Sequence, residues 1–362
     1  MGKKYIVDLD EAEISQLHSL TKTGKHSARS ITRANILLLA SEGYSDNEIA
    51  STLRVNVSTI KRTRQKLVAG GLKYAIKDRP DLPKPLKSHQ LADCISRVFI
   101  IAYKESTQLL EETLAKEGFS CEVLRQEKQP ETKNFSPSYL CLLNHQRAWE
   151  KAAQQIKPTL IVEADFVPVL GLGKLPLPFN PYQTDVGVSW LYTCAPQVYY
   201  VCADGYAQGF STSMVAYIVT PYAAEYLIGL AEVVKQKHGT RNYSSWDSQI
   251  DSILLAKQLN NYIPFRNYGE HGGLPNLEHH HNGLSKTHRA DVLYGKLAFV
   301  PSYALGGGNS QLKFLFARLK ARLKGIARLA MGKFLRIPVI RGSSTPGRLI
   351  NFAVRRHLSM RL

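Results

Sequence analysis

Cysteine is sparse and unpaired in this chain: Cys94, Cys121, Cys141, Cys194 and Cys202 are its only five, scattered over 362 residues with no CxxC pair. An odd, dispersed set excludes a disulfide frame and the usual zinc spacings, and fits reduced thiols in a cytoplasm. A membrane-spanning run is also missing. The most apolar long window, SMVAYIVTPYAAEYLIGLAEVV, is interrupted by Pro221, Glu225 and Glu232, which excludes a span. No secretory leader is expected, because the opening MGKKYIVDLDEAE turns acidic at once. Acids are absent from residues 310–362, which nonetheless hold 13 Lys and Arg.

What is present is a folded chain of ordinary make-up, 44% hydrophobic and 21% charged, long enough for two or three domains. Its net charge of +18 is uneven. Residues 1–87 hold 16 bases and 9 acids, while residues 88–309 hold 18 bases and 20 acids. A near-neutral body therefore lies between two basic ends, and three segments are expected: 1–87, 88–309 and 310–362.

The first end predicts helices. SARSITRANILLLASEGYSDNEIASTLRVNVSTIKRTRQKLVAGG reads as three of them, with Ile36, Leu37, Leu39 and Ala40 as an apolar face. Ser45 and Glu48 form a capping-box pattern opening a short helix through Leu53. Asn56 can cap a third, polar and basic helix bearing Ser58, Thr59, Lys61, Arg62, Arg64 and Gln65. Short helix, tight turn, basic helix is the helix-turn-helix pattern, and those residues are expected to meet DNA. The alternative is a small bundle with a solvated basic face. Through LKYAIKDRPDLPKPLK, this end resembles the N-terminus of mariner-like bacterial insertion-sequence transposases. Those proteins continue into a second helix-turn-helix and a ribonuclease-H-like domain with a metal-binding acid triad. Neither follows the Pro-rich RPDLPKP, expected as a linker, so cutting and joining of DNA by that mechanism is not expected.

The body reads differently. RVFIIAYKE is an apolar strand, STQLLEETLAKEG a helix with Leu109, Leu110 and Leu114 on one side, and CEVLRQ a second strand. Strand–helix–strand at this spacing predicts a parallel α/β unit. A helix entered through Pro137 carries His145 and Trp149, and TLIVEADFVP then ends a buried strand on Glu163 and Asp165. Ligands in open parallel sheets lie beyond such strand ends. Spaced carboxylates there suit Mn²⁺ or Mg²⁺ shared with phosphate oxygens, although two acids at a strand end are also a common solvated turn.

The order VFIIAYKEST, FSPSYLCLLNHQRAW, LIVEADFVP, GFSTSMVAYIVTPYAAEYLI, WDSQIDSIL resembles glycosyltransferase family 25 over residues 97–300. The family's Glu-Asp-Asp core is Glu163-Ala164-Asp165 here, and its basic residues after the first strand reduce to Lys104. The resemblance implies a GT-A-like α/β fold, a nucleotide-sugar donor such as UDP-galactose, and inverting transfer of a hexose to a lipopolysaccharide or surface glycan. It also implies metal and diphosphate at Glu163 and Asp165, a donor pocket at Tyr103, Lys104 and His145, and a base at Asp247 or Asp251. The last two lie four apart, so a helix would put them on one face; the alternative is a capping Asp247 and an exposed Asp251. Trp149 would support the same pocket by that resemblance, but it reads first as core.

The histidine-rich YGEHGGLPNLEHHHNGLSKTHRAD has no zinc signature and is expected to close over donor or acceptor through His271, His279 and His288; the alternative is one histidine completing a Mn²⁺ shell or touching phosphate. In the tail, Leu312, Leu315, Phe316, Leu319, Leu323, Ile326, Ala330 and Phe334 recur at helical spacing among Lys313, Lys320, Lys324 and Arg328. A basic amphipathic helix of this kind suits an anionic membrane surface; its rivals are a helix packed on the body and a second nucleic-acid contact. The reading is a helix-turn-helix head fused to a cytoplasmic glycosyltransferase, peripheral on the inner face of the membrane, acting on a lipid-linked or polysaccharide acceptor. The competing readings are a DNA-binding protein with an inert second domain and a product with both parts damaged.

Overall fold

A computed structural model describes residues 7, 9–22, 26–76, 90–126, 130–203, 205–275, 278, 281–282, 287–305 and 309–358. The chain divides into two compact units, Met1–Leu86 and Lys87–Leu362. The segment RPDLPKP, expected as a linker, lies outside the described residues.

The first unit contains α1 (Glu11–Lys22), α2 (Ala28–Ser41), α3 (Asp46–Leu53) and α4 (Val57–Ile76). Ser27 caps α2 by accepting from Ser30 N–H at 3.1 Å. The capping box of α3 is formed both ways: Ser45 Oγ accepts from Glu48 N–H at 3.3 Å, and Glu48 accepts from Ser45 N–H at 2.7 Å. Arg54 turns the chain with a left-handed φ of 50°, and Asn56 caps α4 by accepting from Ser58 N–H at 2.8 Å. Ile36, Leu37, Ile49 and Ile60 are fully buried, and α1 adds Leu17 to them, a helix beyond the three expected.

The second unit is built on an eight-stranded sheet in the order β2-β1-β3-β8-β5-β9-β7-β6. Short α5 (Leu91–Cys94) leads into β1 (Val98–Ala102), α6 (Gln108–Lys116), β2 (Cys121–Arg125), α7 (Pro137–Ala153) and β3 (Thr159–Glu163). These three strands are parallel. Leu110 and Leu114 are buried, whereas Leu109 is 53% exposed, because a helix turns adjacent residues about 100° apart. Both faces of β1 are covered, Phe99 and Ile101 by the cluster containing Trp149, Val98 and Ile100 by the one containing Leu110. That double cover is why the strand reads as an unbroken apolar run.

Among the described residues the parallel arrangement recurs only between β5 (Val186–Trp190) and β9 (Asn260–Pro264). β8 (Ala216–Val219) is antiparallel to both β3 and β5, and β7 (Tyr206–Phe210) to both β9 and β6 (Gln197–Ala203). The sheet is thus mixed where a parallel one was expected. Apart from it, β4 (Phe166–Pro168) and β10 (Gly269–His271) form a two-stranded antiparallel ribbon that sets His271 opposite Phe166. α8 (Pro221–Leu227), α9 (Leu230–His238) and α10 (Ile250–Ala256) complete the body.

Residues 310–358 belong to this unit, as α11 (Ser310–Ala330), α12 (Ile337–Gly342) and α13 (Pro346–Leu358). α11 turns Arg318, Ala321 and Gly325 inward and leaves Leu312, Leu315, Phe316, Leu319 and Leu323 exposed by 45% or more. Phe334, expected in the same stripe, is instead buried in the core. Among the described residues no helix is long and apolar enough to cross a membrane.

α13 is held by charge. Arg356, wholly buried, donates to Asp291 Oδ1 at 2.7 Å and to the carbonyls of Pro264 and Phe265. His357 Nε2 lies 3.4 Å from Asp291 Oδ2. Burial opposes charge on Asp291, yet Arg356 and His357 outweigh it and hold the carboxyl well below its ordinary range. Its stabilising contribution is therefore present above about pH 4 and lost as pH falls further. Arg356→Ala should lower the unfolding free energy of this unit by about 3–5 kcal/mol by taking from a buried carboxylate its guanidinium partner. Urea titration read through Trp149, Trp190 and Trp246, all in this unit, checks it; an unchanged midpoint would contradict the pair's role.

Candidate functional site

β3 is buried until Glu163, where it emerges. The chain turns at Ala164, whose N–H donates to Ile101 O at 2.8 Å, and re-enters as β4. Beyond the carboxyl ends of β1 and β3 lies a cavity of about 420 Å³, lined by Ala102, Tyr103, Gln126, Cys141, Asn144, Glu163 and Asp165. This is the place an open α/β sheet offers a ligand.

Glu163 is held from behind. Trp149 Nε1–H donates to Tyr217 Oη at 2.8 Å, Tyr217 Oη lies 2.9 Å from His145 Nδ1, and His145 Nε2 lies 3.4 Å from Glu163 Oε1. Tyr217 accepts from Trp149, so its own buried proton is best used on Nδ1. The imidazole proton then sits on Nε2 and is donated to Glu163, a tautomer assigned from the network. Cys141 Sγ donates to the same oxygen at 3.7 Å. His145 is fully buried and lines no part of the cavity, so it positions the acid where donor contact was expected. Trp149 is core as well as donor to Tyr217. The ligand atoms of Cys141, His145 and Glu163 lie within 4.8 Å of one another. Burial, followed by the charge of Glu163, pushes the Cys141 thiol well up, and Nε2 carries its proton, so the trio reads as a hydrogen-bonded support before a metal centre.

Asp165 has a different partner. Its Oδ2 lies 3.0 Å from His271 Nε2, brought there across 106 residues by the β4–β10 ribbon. Burial works against both charges, but each favours the other: the Asp165 carboxyl is held below its ordinary range, and His271 is raised to about 9. Asp165 Oδ1 is buried with no hydrogen-bond partner among the described residues. The chain following His271 must pass very close: a Cβ on Gly273 would stand 2.2 Å from Asp165 Oδ2, so glycine is required there. His271 is thus part of the acid's own shell, not a covering loop.

The two expected bases separate. Asp247 lies in a 3₁₀ turn, Trp246–Gln249, ahead of α10, and accepts from Ser248 N–H at 2.9 Å. Burial, aided by the charge of Glu163, raises it to about 7. Asp251 sits in the first turn of α10, 7% exposed, accepting from Tyr199 Oη at 3.0 Å and Asn261 Nδ2 at 2.9 Å. The break between 3₁₀ turn and helix removes the shared face. Asp251 is a satisfied buried acid, neither a base facing the cavity nor exposed. Tyr103 lines the cavity; Lys104 Nζ stands 5.2 Å from its ring centroid and lies outside the lining. His288 Nδ1 lies 3.0 Å from Cys194 Sγ, in a second hollow. His279 lies outside the described residues.

Arg289, which sequence reasoning missed, donates to the carbonyls of His271, His288 and Gly273, each at 2.9 Å, and its guanidinium stacks 3.8 Å from the Tyr303 ring centroid. Cys141 was missed too, although its i,i+4 spacing to His145 was visible.

In the first unit, α4 exposes Ser58, Lys61 and Arg62, with Thr59 half-buried. Arg64 does not join them. It is buried, 3.0 Å from Asp46 and donating to Tyr44 O at 3.3 Å, because its position turns toward α3.

Residues 27–75 match a homeodomain-like domain family. No curated protein matches the chain significantly. Among solved structures, a glycosyltransferase involved in the glycosylation of the major capsid of PBCV-1 is similar at 11% identity, over 46% of this chain and 80% of that one, with a TM-score of 0.32. At that score the likeness carries no functional argument.

The Asp165–His271 pair generates a titration. Without added divalent metal, the His271 imidazole should titrate near 9 by NMR, and Asp165→Asn should return it toward or below about 6.5. The raised value means the stabilisation from His271 is complete below about pH 6.5, for as long as Asp165 stays ionised, and is lost as pH rises through about 9. A His271 midpoint indifferent to Asp165→Asn would sink the pairing.

Proposed function

We propose that the second unit transfers a hexose from a nucleotide-sugar donor, such as UDP-galactose, to a lipopolysaccharide or surface-glycan acceptor with inversion. The observation that carries this reading is the pair of acids at the mouth of the strand-end cavity, with a third acid raised to about 7 beside them. Glu163 and the buried, unpartnered Oδ1 of Asp165 fit a hard divalent cation, Mn²⁺ or Mg²⁺. When bound, such an ion would offset the charge of the departing diphosphate.

The chain's own groups would do the rest. His145, fixed by Tyr217 and Trp149, aims Glu163. The half-exposed Tyr103 ring offers the nucleobase a stacking face, and Lys104 beside it a charge for phosphate. Asp247 would take the proton of the acceptor hydroxyl as its oxygen bonds to the anomeric carbon. The bond from that carbon to phosphate oxygen breaks, and the electron pair leaves with the nucleoside diphosphate. A carboxyl poised near neutrality suits that task. A lipid-linked acceptor would lie on an anionic membrane surface, where α11 would rest its exposed leucines.

A second reading rests on the first unit, whose homeodomain-like fold with exposed Ser58, Lys61 and Arg62 fits duplex DNA. The head would hold DNA modestly and with strong salt dependence, since one small module makes few phosphate contacts.

In the folded full-length chain, Asp165→Asn should reduce Mn²⁺-dependent UDP-galactose turnover by about 100-fold or more, the loss of roughly 3 kcal/mol at the transition state; undiminished turnover refutes the assignment. For the head, Lys61→Ala/Arg62→Ala should weaken duplex binding and flatten its salt dependence. Anisotropy that shows the variant binding as the parent does would remove DNA from that face.

A further inference from the structure

A second cavity, of about 670 Å³, lies between α11 and the segments that follow β5 and β10. Its walls carry Arg289, Lys313, Lys320, Lys324 and Arg328 against one carboxylate, Asp291, which Arg356 and His357 already hold. Four of the five cations come from α11 at helical spacing, with Phe316, Ala317 and Ala321 between them. One strip of the helix, charged and apolar together, therefore faces the hollow.

Lys320 and Lys324 have no carboxylate partner among the described residues. Arg328 donates from Nη2 to Ala195 O at 3.0 Å, but its buried Nε has no hydrogen-bond partner among the described residues. Cations gathered round a sheltered space repel one another and attract an anion rich in acceptor oxygens. The apolar part of the wall asks for more than a free anion. Phe316, which lines the cavity, is also 67% exposed, and Leu312, one turn away, is 51% exposed. An alkyl chain leaving the cavity would run onto that surface.

We propose that this cavity binds the phosphate of an amphiphile, a phosphate ester carrying an alkyl chain, and that this is the acceptor's anchor. Arg289 joins the two places, since it lines this cavity and donates to the carbonyls of His271 and Gly273 beside Asp165. Asp247 is within electrostatic reach of both: the charge of Glu163 acts on it, and its own acts on Cys194, a wall of this cavity. A hydroxyl near the bound phosphate would thus be presented to Asp247. The acceptor role rests on the sugar-transfer reading; the binding itself does not.

Calorimetry with the full chain and dodecyl phosphate, kept monomeric, tests it. One-site binding is expected, weakened at least tenfold in Lys320→Ala/Lys324→Ala. Dodecyl maltoside, which lacks the charge, and inorganic phosphate, which lacks the chain, should each bind far more weakly. No binding, equal binding of dodecyl maltoside, or unchanged affinity in a folded double variant overturns the proposal. Sugar turnover without dodecyl phosphate binding overturns this proposal alone; binding without turnover supports the cavity and removes only the acceptor role. Sedimentation with phosphatidylglycerol vesicles reads the leucine face apart: Leu315→Glu/Leu319→Glu should lose the vesicles yet keep dodecyl phosphate. Vesicle binding unchanged in that variant overturns the membrane contact.

Discussion

Glu270 is a carboxylate with no exposure to solvent, and the second unit is arranged round the need to satisfy it. Its Oε1 accepts from the N–H groups of His271 and Ala290, at 3.0 and 2.8 Å, and its Oε2 from Arg318 at 2.7 Å. Three segments distant in sequence are pinned at one point: the ribbon strand β10, the stretch after the histidine-rich loop, and α11. An ion pair taken out of water needs further hydrogen bonds, and here the backbone supplies them to both partners, two N–H groups to Glu270 and the Ala290 carbonyl to Arg318 Nη1, while Arg318 Nε has no partner among the described residues. The next residue, His271, points to the opposite side of the strand. Glu270 therefore anchors α11 on one face of β10 while His271 meets Asp165 on the other. The candidate site and the C-terminal helices share a three-residue support.

The same constraint explains the orientation of α11. Its leucines, by hydrophobic pattern, would be expected inside, and its arginine outside. The buried acid reverses this at Arg318. Ala321 and Gly325 follow Arg318 inward because the helix comes very near the body: a Cβ on Gly325 would stand 2.9 Å from Asp291 Cβ. With small residues and an arginine on the packed side, the leucines have no place but the surface. The helix is packed on the body, one of the readings of the tail, and its exposed leucines lie on the other side of the same helix.

What could be read in the sequence was local. The capping box at Ser45 and Glu48, the Asn56 cap and the apolar runs of β1 and β3 depend on neighbours a few residues away, and each stands where its pattern put it. The acids at the end of β3 were legible for the same reason. What depended on distant partners was not. No pattern within TLIVEADFVP points to His271, and nothing around Asp251 announces Tyr199 and Asn261. Arg64 looked like a DNA contact because periodicity gives a residue's direction only once the packed face is known, and Asp46 lay on that face. His145 looked like a ligand contact because its buried partner, Tyr217, is 72 residues on.

Asp165, which lines the first cavity, and Asp247, which feels the charge of Glu163 there, have been pushed apart in acidity by different neighbours. Asp165 faces a protonated imidazole and a guanidinium, and is ionised across the physiological range. Asp247 has no cation among the causes that shift it; burial and the charge of Glu163 lift it to about 7. Groups that titrate far from the working pH can hold charge, while those near it can give and receive a proton. On that physical ground Asp165 is suited to holding charge and Asp247 to exchanging a proton. Glu163 takes its place by a third means, hydrogen bonds from His145 and Cys141 that fix its direction. Removing His145 would then free the carboxylate to rotate without removing its charge, which is why the buried Trp149–Tyr217–His145 chain belongs to the chemistry of the site although none of it reaches the cavity.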